Sequence, residues 1–171
     1  KHHFPTSPAS IIKQPEKIRQ WYASRYLLCE IFPGAIQFYN QRKPFLYNGP
    51  EISFSHSENM VALILSSFKS GIDIQAINPK LERIASKFIN PPDLVAVPIE
   101  DYTTQLCTIW SIKEAIFKYY ITELPFKQIY VKEYNEGIGL ATVEVCRHGQ
   151  QNSHRIGVMN LGGFIMAYVI E

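Results

Sequence analysis

Lys113, Glu114 and Lys118 put a carboxylate between two amines in a stretch that is otherwise largely apolar. The run from about Thr104 to Thr122 predicts a helix, with Leu106, Ile109, Trp110, Phe117 and Tyr120 as its apolar stripe. Lys113 falls inside that stripe. Glu114 and Lys118 lie one turn apart at its edge, where such a pair is ordinarily a solvated surface contact. An amine within the stripe makes that plain reading less complete, because a buried charge needs a partner.

Gly71-Ile72-Asp73-Ile74-Gln75 predicts a strand. Alternation sends Ile72 and Ile74 to the core and turns Asp73 and Gln75 together to the other side. A carboxylate beside an amide oxygen offers a hard-cation site once another carboxylate arrives from elsewhere. Alone, an Asp at a strand end also serves to cap or turn. Ser53-Phe54-Ser55-His56-Ser57 groups hydroxyls and an imidazole between two strands, suited either to phosphate or to a polar turn. In a first helix, predicted from Pro15 to about Ile31, residues Ile18, Trp21, Tyr22 and Cys29 share a stripe with Arg25 in its middle. A guanidinium there snorkels, pairs with a carboxylate, or holds an anion. No Walker loop, GxGxxG, HExxH or GxSxG pattern is present.

The elements that must position these groups are short. Ile52–Phe54, Met60–Ser66, Gly71–Ile74, Ile129–Tyr134, Leu140–Cys146 and Phe164–Ile170 are expected strands. Asn78-Pro79 opens a short helix with Leu81, Ile84, Ala85 and Phe88 on one face, and Pro91-Pro92 is expected to end it. A loop through Pro98 then divides the chain into expected lobes at 1–95 and 96–171. Helices and strands occur in both halves, so the predicted class is α+β with two similar-sized lobes.

The 171 residues, 46% hydrophobic and 19% charged, have a globular rather than a disordered balance. A net charge of +2 gives no support to bulk nucleic-acid binding, so any basic site must come from local clustering. The longest apolar run, Phe164 to Ile170, is far short of a membrane span, and the first residues carry no charged-then-apolar leader pattern. Cys29, Cys107 and Cys146 are scattered without a CxxC pair, as expected of reduced thiols in the cytoplasm. A monomer without membrane or nucleic-acid partners is the expected form.

In this order the pieces resemble the 4′-phosphopantetheinyl transferase superfamily, closest to its Sfp-type branch. That pattern runs as a basic helix, Gly-Lys-Pro, Ser-His-Ser, Gly-Ile-Asp-x-Glu, and Trp-x-x-Lys-Glu-(Ala/Ser)-x-x-Lys. Trp110-Ser111-Ile112-Lys113-Glu114-Ala115 followed by Lys118 matches the last throughout. Gly71-Ile72-Asp73-Ile74, Ser55-His56-Ser57 and Lys43-Pro44-Phe45-Leu46 match the others, and Arg25 stands where the family's helix carries a coenzyme-binding arginine. Two positions depart from the pattern: Gln75 replaces Glu, and Arg42 replaces Gly.

The resemblance implies two lobes related by a pseudo-twofold axis, with coenzyme A between them. Arg25 would hold the 3′-phosphate, Lys43 and Pro44 the nucleotide end, and Ser55 and His56 its phosphates. Asp73 and Glu114, with Gln75 at the third position, would hold Mg²⁺ (or Mn²⁺) against the pyrophosphate. Lys113 and Lys118 would lie along that charge, and Glu114 would take the proton of the attacking serine. The catalytic set would be Asp73, Glu114 and Lys118, acting on an acyl or peptidyl carrier protein. The alternatives are a catalytically weak or silent member that binds coenzyme A or a carrier protein, and an unrelated α+β binding protein.

Overall fold

The computed structural model describes residues 14–40, 43–121 and 124–170. Arg42 and the N-terminal stretch through residue 13 lie outside the described residues.

Helix α1 (Pro15–Ile31) begins with proline in its first turn and closes where Phe32 N–H donates to Leu28 O, just before Pro33-Gly34. Its buried residues are Gln20, Ser24, Arg25 and Leu28, while Tyr22, expected on the packed stripe, is exposed. Strands β1 (Gln37–Asn40) and β2 (Lys43–Leu46) pair antiparallel, as do β3 (Glu51–Ser57) and β4 (Met60–Ser66). After β5 (Ile72–Ala76) a 3₁₀ turn leads into α2 (Ala85–Phe88). Pro91-Pro92 then opens a further helix, α3 (Pro91–Ala96), where the sequence predicted a loop. Asn90 and Asp93 form a capping box around its first turn. Helix α4 (Tyr102–Tyr120) is capped by Asp101, whose side chain accepts from Thr104 N–H.

Strands β6 (Ile129–Asn135), β7 (Leu140–Arg147), β8 (Gln150–Asn160) and β9 (Phe164–Ile170) join β5 in one antiparallel sheet of order β5-β9-β8-β7-β6. Because β5 pairs with β9, this sheet crosses the expected boundary at 95/96. Strands β1, β2 and β8 were not expected from the sequence.

Helix α4 lies across the sheet. Leu106, Ile109, Ile112 and Ile116 meet Ile129, Val143, Val145, Ile156 and Ile165 in a dry core. Each such side chain contributes roughly 1.5–3 kcal/mol on leaving water. At Gly71 the chain touches α4 directly, since a Cβ there would lie 2.1 Å from Ala115 O. That close approach sets β5 beside the helical turn carrying Glu114.

Side chains close both edges of the sheet. Ser53 Oγ and Ser57 Oγ accept from Ile72 N–H (3.2 Å) and Ala76 N–H (2.9 Å), fastening β3 along β5. At the other edge, Asp93 Oδ1 accepts from Val131 N–H at 2.9 Å, and Asn90 donates to Ile129 O at 3.0 Å. These four edge groups are thereby satisfied by side chains rather than by another strand.

Candidate active site

A cleft of about 1070 Å³ opens among α1, the β1–β2 hairpin, β3, β5 and α4. Strand alternation brings Asp73 and Gln75 to its wall. Helical spacing brings Trp110, Glu114, Phe117 and Lys118 of α4 to it, and Arg25, Lys43, Pro44, Ser55 and His56 join them there; of the expected residues, Lys113 is not on this wall.

At one end Asp73 is nearly buried, 5% exposed. Its Oδ1 accepts from Ser55 Oγ and from Lys118 Nζ, each at 2.8 Å. Its Oδ2 is buried without a hydrogen-bond partner. Lys118 also donates to Ile72 O at 2.9 Å. The Glu114 carboxyl is pushed up to about 7, first by desolvation, then by the charge of Asp73, with Lys118 opposing. His56 is shifted down, chiefly by desolvation and next by Lys118, which favours its neutral form. Gln75 donates to Ala76 O at 3.2 Å.

At the other end the Arg25 guanidinium lies 4.0 Å from the Trp21 ring centroid. It donates to Ser24 Oγ (2.9 Å), Trp21 O (3.2 Å) and the Tyr39 hydroxyl, while Nε has no hydrogen-bond partner. Desolvation lowers its pKa, with Tyr39 opposing. No carboxylate pairs with it among the described residues, so this cation faces the cleft without a counter-ion. Lys43 pairs with Glu51 at 2.5 Å.

Lys113 is a correction. It was expected along the coenzyme's phosphates, but it is fully buried away from the cleft wall. Its Nζ lies 2.6 Å from Asp93 Oδ2 and donates to Phe88 O at 2.7 Å. The apolar stripe that made it conspicuous continues around the helix, and Asp93 supplies the partner that burial demands. Ser55 also differs from expectation. A hydroxyl has one proton to donate, and that of Ser55 is directed to Asp73 rather than toward a phosphate.

Sequence reasoning missed Lys17, Trp21 and Tyr39, which line the cleft, Trp21 and Tyr39 against Arg25 and Lys17 near enough to His56 to bear on its charge. The first two were findable, because Lys17, Trp21 and Arg25 recur every fourth residue on one helix face. Tyr39 carried no such signal.

Residues 69–169, more than half of the chain, match the family model described as 4′-phosphopantetheinyl transferase superfamily. The chain belongs to the 4′-phosphopantetheinyl transferase superfamily. No curated protein compared with the chain matches it. Superfamily members transfer phosphopantetheine from coenzyme A to carrier proteins. In this transferase the matched span contains the Asp73 and Glu114 motifs, while Arg25, Lys43 and Ser55-His56-Ser57 precede it. Among the described residues no group of three or more His, Cys, Asp or Glu side chains gathers as a metal cage. The carboxylates that would serve a cation here are Asp73 and Glu114, with Gln75 on the same cleft wall. An unpartnered buried carboxylate oxygen and a neighbouring carboxyl that resists ionisation are both relieved by a cation, so the pair fits a hard metal completed by phosphate and water. No helix among the described residues is long and apolar enough to cross a membrane, and all three cysteines are free thiols.

Proposed function

We propose that the chain is an active transferase of the Sfp-type branch. It moves the 4′-phosphopantetheine group of coenzyme A onto a serine of an apo acyl or peptidyl carrier protein and releases 3′,5′-ADP. The observation that carries this reading is the pairing of Glu114, pushed up to about 7, with an Asp73 whose Oδ2 is buried and unpartnered, in a cleft rimmed by cations. Asp73 and Glu114 would hold Mg²⁺ (Mn²⁺ as substitute), with Gln75 within the same group. Bound there, the metal supplies neutralisation of pyrophosphate charge.

The chain's own side chains do the rest. Arg25 binds the 3′-phosphate, and Lys43 and Pro44 flank the nucleotide. His56, kept largely neutral, and Lys118 lie toward the phosphates, where the amine stabilises developing charge. Glu114 takes the serine hydroxyl proton, directly or through a water, as the serine oxygen bonds to the phosphopantetheine phosphorus and the pyrophosphate bridge breaks. The two-lobe arrangement belongs to this proposal, with the seam between β4 and β5 because β5 pairs with β9. So do a monomeric state and a cytoplasmic setting.

The test incubates the chain with coenzyme A, Mg²⁺ and an apo carrier protein and reads the carrier's mass gain. Transfer lost in excess chelator and nearly abolished by Asp73→Ala and Glu114→Ala is the expected result. Coenzyme A binding without transfer would instead identify a silent member, the reading that Gln75 favours.

A further inference from the structure

Ser53, Ser55 and Ser57 occupy alternate positions on one face of β3, and all three reach β5. Their tasks differ. The outer two accept from backbone N–H groups of Ile72 and Ala76. The middle one donates to a carboxylate oxygen of Asp73. The outer bonds fix the strand, and the strand fixes the Ser55 hydroxyl, itself only 6% exposed.

A carboxylate has two oxygens that half a turn of its terminal torsion exchanges. At Asp73 both donors, Ser55 and Lys118, fall on Oδ1, and none falls on Oδ2. The two oxygens are therefore no longer equivalent. Lys118 alone is a weaker orienter, because its side chain is 26% exposed, flexible, and shared with Ile72 O. Ser55 sits on a short side chain in a pinned strand.

We propose that Ser55 is a positioning residue: by occupying Oδ1 of Asp73 it presents Oδ2 as the oxygen that meets the divalent cation. The inference rests on the metal reading of the cleft given above. It also assigns Ser55 to the carboxylate instead of to the coenzyme's phosphates. A phosphate seeks a donor, and the single hydroxyl proton is committed to Asp73.

The experiment titrates Mn²⁺ by loss of the free-ion EPR signal, using the full chain with saturating coenzyme A. Coenzyme A binding without metal and thermal melting are measured in parallel. Ser55→Ala should weaken Mn²⁺ binding about tenfold, the range typical of a lost outer-shell orienter. Its metal-free coenzyme A affinity should not change. Ser55→Thr, which keeps the hydroxyl, should bind Mn²⁺ as the wild type does. Ser55→Cys, a near-isostere with a poor donor, should show the alanine loss and serves if the alanine variant folds poorly. Ser57→Ala should lower the melting temperature and leave Mn²⁺ affinity unchanged. Equal Mn²⁺ binding by wild type and Ser55→Ala overturns the positioning role while the metal reading stands. Lost coenzyme A affinity in the metal-free Ser55→Ala variant overturns it in favour of a phosphate contact. A wild type that binds no Mn²⁺ overturns both the inference and the metal reading.

Discussion

Lys113 Nζ and Asp93 Oδ2 lie 2.6 Å apart, and neither side chain reaches solvent. The same carboxylate accepts from Asn90 N–H at 2.7 Å and Val131 N–H at 2.9 Å. One buried node therefore joins α3, α4 and the β6 edge. It ties the helix that carries Glu114 and Lys118 to the sheet through residues that do not line the cleft.

Removing the amine should act on stability. Lys113→Met leaves a buried carboxylate without its counter-ion, at a cost of about 3 kcal/mol or more. In a chain of this size that lowers the melting temperature by roughly 10 °C. Coenzyme A affinity, measured well below the melting range, should match the wild type. Weakened affinity at an unchanged melting temperature would place Lys113 at the coenzyme after all.

Glu114 makes stability depend on pH with a definite sign. Its folded carboxyl titrates at about 7, raised from 4.5 by desolvation and then by Asp73. The native state thus holds this proton more tightly than the unfolded chain. Its contribution is complete below about 4.5 and is lost as pH rises through about 7. Urea midpoints for wild type and Glu114→Gln should therefore diverge between pH 5 and pH 8, with the wild type losing ground. Discounted for remaining solvent contact, the change is on the order of 2 kcal/mol. The difference between the two proteins is the quantity to measure, because His56 and His154 are shifted down and titrate with the opposite slope. A constant difference across the range would remove Glu114 from the buried carboxyl pair.

These cases show what was legible in the sequence. Alternation in Ile72-Asp73-Ile74-Gln75 was legible because Ile72 and Ile74 join a packed cluster while Asp73 and Gln75 stand at the cleft wall, which Ile74 also reaches. Lys113 was correctly flagged as anomalous, yet its partner lay 20 residues away across the fold. The Asn90-to-Asp93 capping signature is present in the sequence, and Pro91-Pro92, which ends a helix when it follows one, equally suits the first turn of the next. Strand β8 was missed because Gln150 to Ser153 are exposed and polar, and apolar burial begins only at Ile156. Its pairing is set by β7 and β9, a tertiary effect with no local pattern.

Arg25 is held on Trp21 and Tyr39 without an acidic partner among the described residues, which leaves its charge for the ligand. Arg25→Ala and Lys43→Ala should raise the KM for coenzyme A about tenfold and change kcat much less, since both are remote from the bond that breaks. Dephospho-coenzyme A, lacking the 3′-phosphate, should lose most of the Arg25 effect. Arg25→Lys should rescue poorly, because an ammonium does not reproduce the planar stack and fork. Equal losses with both coenzymes would mean that Arg25 acts only by holding Trp21 and Tyr39 in place.

Gln75 offers the most direct test of the metal group. Its side chain shares the cleft wall with Asp73, two residues along the same strand, where the family pattern has Glu. An amide oxygen is neutral, so the group has one negative charge fewer than that pattern. Gln75→Glu adds a carboxylate to the pair Asp73 and Glu114, and a hard cation gains a charged ligand. The Mg²⁺ concentration for half-maximal transfer should fall several-fold, while the maximal rate need not rise. Tighter ground-state binding of the metal is not stabilisation of the transition state. The added charge should also push the Glu114 carboxyl still higher in the metal-free protein, lowering its stability at pH 8 more than at pH 5. Gln75→Ala should be mild, because water can serve where the amide stood. A Mg²⁺ titration of the three forms at saturating coenzyme A, with urea midpoints at the two pH values, reads both effects. Identical Mg²⁺ midpoints would place Gln75 beyond the metal's reach and leave the site to Asp73, Glu114, phosphate oxygens and water.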